Sequence, residues 1–113
     1  MRAIEQKMNQ AIHRQVDWRL DNTSVEVFYS GVHHTPSYDC RIEVKLHGNL
    51  IATIHPFNNT MRISSCGWRT ATTKSRLNAI LRSFSNTGIY QSNFDWYIGD
   101  EDFEDGMTVS FRN

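Results

Sequence analysis

The stretch WRTATTKSR, residues 68 to 76, concentrates the side chains best able to hold an anion. Arg69, Lys74 and Arg76 supply charge, Thr70, Thr72 and Thr73 supply hydroxyls, and Trp68 supplies a ring. LNAIL follows directly with helical apolar spacing, so these residues lie where a helix begins. At such a start the first backbone N–H groups lack partners within the helix and the macrodipole is positive. One threonine is enough to cap it. The surplus hydroxyls, the uncovered N–H groups and the cations together describe a phosphate site, with Trp68 placed to stack on a base.

Two sources of negative charge compete for this stretch. From residue 67 to 86 there are four cations, Arg69, Lys74, Arg76 and Arg82, and no acid. Phosphate from a nucleotide or nucleic acid is one counter-charge. The other lies in the same chain, because Asp95, Asp100, Glu101, Asp102, Glu104 and Asp105 follow one another without a base. The structural reading carries its own weight: threonine-rich helix starts are ordinary caps, and a tryptophan after glycine is more often a core plug than a platform.

Other reactive side chains form no recognisable motif. His33, His34, Cys40, His47, His55 and Cys66 lack CxxC, HxxxH and HExxH spacing, which argues against a metal site. Cys40 or Ser64 beside a histidine has no nucleophile-elbow or activated-cysteine signature. The acids of DEDFEDG, residues 100 to 106, read as an exposed turn rather than an acid and base pair. These patterns predict a chain without catalytic residues, metal or cofactor.

The elements that must position the threonines follow from periodicity. Ile4, Met8, Ala11, Ile12 and Val16 form a narrow apolar stripe, so residues 1 to 20 are expected to hold an amphipathic helix with Glu5, Lys7, Gln10 and Arg14 around the rest of the wheel. Lacking a strong N-cap before Arg2, that helix must dock on a sheet or on a second subunit. Strands are predicted in SVEVFYS, CRIEVKL, LIATIHP and TMRISS, the middle pair joined by a tight turn at His47-Gly48-Asn49. GVHHTPSYD reads as a loop or long hairpin connection. A second helix over Thr72 to Ser85 buries Leu77, Ile80, Leu81 and Phe84, and Asn86-Thr87-Gly88 stops it. IYQSNFDWYIG and MTVSF are expected to close a final hairpin across DEDFEDG. The order α-β-β-β-β-α-β-β gives an α+β fold, one domain over residues 1 to 113, with an antiparallel sheet packed on one face by helices.

A length of 113 residues fits one core, and its 39% apolar content is offset by three Trp, four Tyr and six Phe, which bury large areas each. With 12 basic and 12 acidic side chains there is no global field to attract nucleic acid or membrane. No apolar run approaches the roughly 20 residues of a membrane span, and the N-terminus is too polar for a signal-peptide core. The chain is therefore expected in a cytosol, with Cys40 and Cys66 reduced.

The block Gly67 to Ala79, preceded by Lys45 to Ala52 and followed by Phe94-Asp95-Trp96-Tyr97 and Phe103-Glu104-Asp105-Gly106-Met107, resembles a group of small bacteriophage proteins sharing GWxTxTTxxRLNA. The likeness runs from about Asn22 to the C-terminus, leaving the first twenty residues and YSGVHHTPSYD outside the shared blocks. It implies a phage accessory protein made in the cytoplasm of a bacterial host, and it carries no activity with it. The expected function is non-enzymatic binding of nucleic-acid or nucleotide phosphate by Arg69, Lys74 and Arg76, oriented by Thr70, Thr72 and Thr73, with stacking on Trp68. The alternative is an inhibitor of a host or antiphage-defence enzyme that binds a bacterial protein through the acidic segment, the N-terminal helix or the HHTPSY loop. A homodimer through the N-terminal helix is the expected assembly if that helix is not core.

Overall fold

A computed structural model describes residues 2–29 and 39–111. The predicted loop containing Gly31 and Pro36, with its contact candidate HHTPSY, lies outside the described residues.

Helix α1, Ala3–Arg14, leads into a short strand β1, Trp18–Leu20, and then β2, Thr23–Tyr29; β1 was not expected. β3, Cys40–Leu46, buries every second residue, Cys40, Ile42, Val44 and Leu46. It turns into β4, Asn49–His55, through His47 and Gly48, both at positive φ (52° and 80°), which is the geometry a two-residue hairpin requires. A bulge breaks the β3–β4 register between Val44 and Lys45. Through it Ile51 joins Ala52 in the core while Leu50 turns outward, so strict alternation mispredicts this strand.

Strand β5, Thr60–Ile63, completes the expected meander, and α2, Ala71–Phe84, follows with Leu77, Ile80 and Leu81 buried. α2 stops at Ser85 in an extended conformation, not at a left-handed glycine. Gly88 instead packs closely against Asn78. The Asn78 side chain brackets the Ile89 backbone, accepting from its N–H (2.6 Å) and donating to its carbonyl (3.0 Å), and a Cβ on Gly88 would sit 3.2 Å from the Asn78 oxygen.

The C-terminal third corrects the expectation of a closing hairpin. β6, Ile89–Ser92, and β7, Asp95–Ile98, form their own hairpin about Asn93 and Phe94, and β8, Glu101–Asp102, pairs with β7 in a separate three-stranded sheet. β9, Met107–Ser110, instead pairs with β5 and becomes the sixth strand of the main sheet, ordered β1-β2-β3-β4-β5-β9. Pairing there covers the edge of β5 and sets Val109 beside Met61 and Met107 beside Ile63. All pairings are antiparallel.

Both helices pack on the sheet face carrying Val25, Val44, Ala52 and Ile63, and the buried face of the small sheet joins the same core through Ile89, Trp96 and Ile98. The N-terminal helix is thus part of its own chain's core. Met8, Ala11 and Ile12 are buried, and Asn9 donates to the Ala79 carbonyl of α2 at 3.1 Å. Two of the expected positions differ: Val16 lies past the helix end and is 48% exposed, whereas Glu5, assigned to the polar side, is buried.

Candidate functional site at the start of α2

Between β5 and α2 the chain makes a tight excursion. Cys66 and Gly67 are both left-handed (φ 54° and 81°), and the Trp68 N–H donates to the Ser65 carbonyl at 2.8 Å. Ser65 is buried, and Asp105 fixes it by accepting from both its N–H and its hydroxyl at 2.8 Å. Burial resists ionisation of Asp105, but those two bonds, the Arg69 charge and the Gly67 N–H outweigh it and hold the carboxyl below its usual range. DEDFEDG is therefore not a free turn: Phe103 is buried and Asp105 clamps the approach to α2.

This clamp swings Trp68 outward. The ring is 62% exposed, so it is not a core plug. It forms one side of a cleft of about 430 Å³ between the start of α2 and the β3–β4 turn. Thr70 and Thr72 continue that side, while Leu46, His47 and Ile51 line the opposite one. Thr70 is the N-cap, accepting from the Thr73 N–H at 3.1 Å, and its hydroxyl also pairs with that of Thr73 at 3.0 Å. Thr73 is buried, so Thr72 is the surplus hydroxyl left at the rim.

The cations go elsewhere. Arg76 is 4% exposed and donates to Glu5 Oε2 at 2.8 Å, to Thr23 Oγ1 at 3.1 Å and to Asn22 Oδ1 at 3.4 Å. Its counter-charge is a carboxylate of α1, which neither expectation included, and it takes no part in the cleft. Arg69 lies over the rings of Trp96 (5.6 Å) and Phe103 (5.4 Å), donates to the Phe103 carbonyl at 3.4 Å and lowers the Asp105 pKa. The acidic segment thus engages one cation of the row. Lys74 is half-buried and Arg82 exposed, and neither forms an ion pair among the described residues.

Of the seven predicted ligand contacts, the fold brings Trp68, Thr70, Thr72 and Thr73 to one cleft, whereas Arg69, Lys74 and Arg76 do not line it. Sequence reasoning missed Leu46, His47 and Ile51, which lie 17 to 22 residues before Trp68 and meet it only through the meander. Glu5 did leave a signal. Glu5, Met8, Asn9 and Ile12 share one stripe of α1, and Thr73, Arg76, Leu77 and Ile80 share one of α2, so helical spacing alone turns both charges inward.

No group of three His, Cys, Asp or Glu side chains is arranged to hold a metal among the described residues. Cys40 and Cys66 are free thiols. Burial, with Asp39 nearby, pushes the Cys40 thiol up, away from a reactive thiolate.

A family model described as Kyanoviridae Gp96 protein matches residues 1–110. The chain belongs to this family. Membership makes it a bacteriophage protein, in line with the resemblance drawn from the Gly67 block. The match also takes in the first twenty residues, which the blocks from Asn22 onward had left out. No curated protein and no solved structure matches the chain. No helix of the described residues is long and apolar enough to cross a membrane.

Proposed function

We propose that this member of the Gp96 family is a non-enzymatic phage accessory protein of the host cytoplasm, and that it binds a nucleotide-sized ligand in the cleft beside Trp68. The observation that carries this reading is the exposed Trp68 ring standing over a cleft of about 430 Å³ with hydroxyls at its rim. That volume suits one base with its sugar. The ring would stack on the base, Thr72 would bond its edge or the sugar, and a phosphate would meet the first turn of α2 near Lys74.

The same geometry narrows the ligand. A polynucleotide track needs a row of cations, and Arg76 and Arg69 are engaged inside the chain. A free nucleotide or a single unpaired base fits this arrangement better than a long strand. Titration of nucleoside monophosphates against intrinsic tryptophan fluorescence tests the proposal. Quenching should saturate, and Trp68→Ala should abolish it with Trp18 and Trp96 intact. Nucleosides should bind more weakly than nucleotides. Saturable quenching that survives Trp68→Ala, or none with any nucleotide, would refute the reading.

A second reading, inhibition of a host or antiphage-defence enzyme through protein contact, is favoured by the acidic and aromatic sheet β6–β7–β8. A stoichiometric host protein recovered on the chain after nuclease treatment is its expected signature.

A further inference from the structure

The β6–β7–β8 sheet, which the protein-contact reading rests on, carries an exposed aromatic face away from the cleft. In the β6–β7 hairpin the register sets Ile89 opposite Ile98 and Gln91 opposite Trp96 on one face, where Ile89, Trp96 and Ile98 are buried and Gln91 is exposed. Tyr90 opposite Tyr97 and Ser92 opposite Asp95 therefore share the outer face. The two tyrosine rings stack at 5.6 Å between centroids, and Tyr90 is 50% exposed although its hydroxyl donates to the Gly99 carbonyl at 3.1 Å. β8 sets Asp102 opposite Tyr97, adding a carboxylate to the same face. At the hairpin tip Phe94 is 91% exposed.

Two aromatic rings are thus flanked by Asp95 and Asp102, both exposed. Neither forms an ion pair among the described residues, and from Ser83 to Phe111 the sequence contains no lysine or arginine. Exposed rings in a patch mark a contact surface. The acids decide what it meets: nucleic acid and anionic lipid are repelled, whereas a guanidinium is attracted both by a tyrosine face and by a carboxylate beside it. Arginine suits the pair better than lysine, because its planar group can stack and form a forked bond together.

We propose that the outer face of β6–β7–β8, centred on Tyr90, Tyr97, Asp95 and Asp102, is a docking surface for an arginine-rich protein surface. This surface is separate from the Trp68 cleft and does not depend on a ligand there.

The test titrates the full chain with a synthetic oligo-arginine peptide by backbone amide NMR, with oligo-lysine, oligo-glutamate and oligothymidylate in parallel. Oligo-arginine should give saturable shifts confined to residues 90–102, tighter than oligo-lysine and weakened by salt, and the two anionic probes should give none there. Asp95→Asn with Asp102→Asn, which changes charge and not shape, should weaken binding roughly fivefold, the combined effect of two exposed pairs. Tyr90→Ser should weaken it as well and Tyr90→Phe should restore it, while Trp68→Ala should leave it unchanged. Shifts centred on the half-buried acids of the main sheet, Glu26 and Glu43, which pair with Lys45 and Arg41, would overturn the proposal. So would binding indifferent to both the Asp and the Tyr90→Ser variants.

Discussion

Replacing Glu5 by alanine should destabilise the fold by about 3–5 kcal/mol, the usual effect of leaving one member of a buried ion pair without its partner. Arg76 and Glu5 have side chains only 4% and 3% exposed and meet at 2.8 Å. Without the carboxylate, the guanidinium keeps two neutral acceptors among the described residues, Thr23 Oγ1 and Asn22 Oδ1. Ser75 also loses its 2.6 Å bond to Glu5 Oε2, worth about 1 kcal/mol net. Arg76→Met should cost a similar amount, since it leaves a buried carboxylate facing an apolar side chain. Glu5→Ala with Arg76→Met should cost far less than the two singles together, because the desolvation of both charges disappears with the pair.

Urea unfolding of the four proteins, followed by far-ultraviolet circular dichroism, measures the cycle. With a slope of about 1–3 kcal/mol per molar urea, each single variant should lower the midpoint by more than roughly 1 M. Raising salt should change the difference little, as the pair is shielded from solvent ions. A loss below about 1 kcal/mol for Glu5→Ala, or a double-variant loss equal to the sum of the singles, would mean that the pair behaves like a surface contact. Either result would refute the claim that this pair anchors α1 to α2.

Thr70→Ala removes the cap of α2 and should cost about 1 kcal/mol, a fall of several degrees in Tm by calorimetry. Asp105 has a folded pKa below its ordinary value, so its stabilisation is complete above the unfolded pKa of about 3.9 and is lost as pH falls through the folded one. Asp105→Asn should therefore lower stability at neutral pH and flatten acid unfolding below about pH 4, read from urea midpoints across pH. Phe94 sits at φ 71° in a two-residue turn where glycine is preferred, and Phe94→Gly should raise stability by about 1 kcal/mol in the same denaturation assay.

The chemistry of local neighbours was legible before the fold was. In β3 alternation alone identifies the buried residues, because side chains on a strand point to opposite faces by turns. The hairpin at His47-Gly48 and the capped start of α2 are equally local, each set by a few adjacent φ values or one side-chain bond. β4 departs from its pattern because a single bulge reassigns Leu50 and Ile51, and a bulge depends on the partner strand. β9 departs further. MTVSF can extend any open edge with one apolar face, and what selects β5 over β7 is the core that the whole chain has already assembled.

The stretch from Trp68 to Arg76 divides along the same line. Its sequence determined that a helix starts there, that Thr70 caps it, and that cations outnumber acids in the vicinity. It also determined, through helical spacing, that Arg76 lies on the stripe of Leu77 and Ile80. Only the tertiary structure decided that Glu5, 71 residues away, meets that arginine, that Arg69 turns to Trp96 and Phe103, and that Trp68 remains outside over the β3–β4 turn. The physical reason is that a buried charge must find its partner wherever the packed chain supplies one, and the identity of that partner is set by which helix faces which.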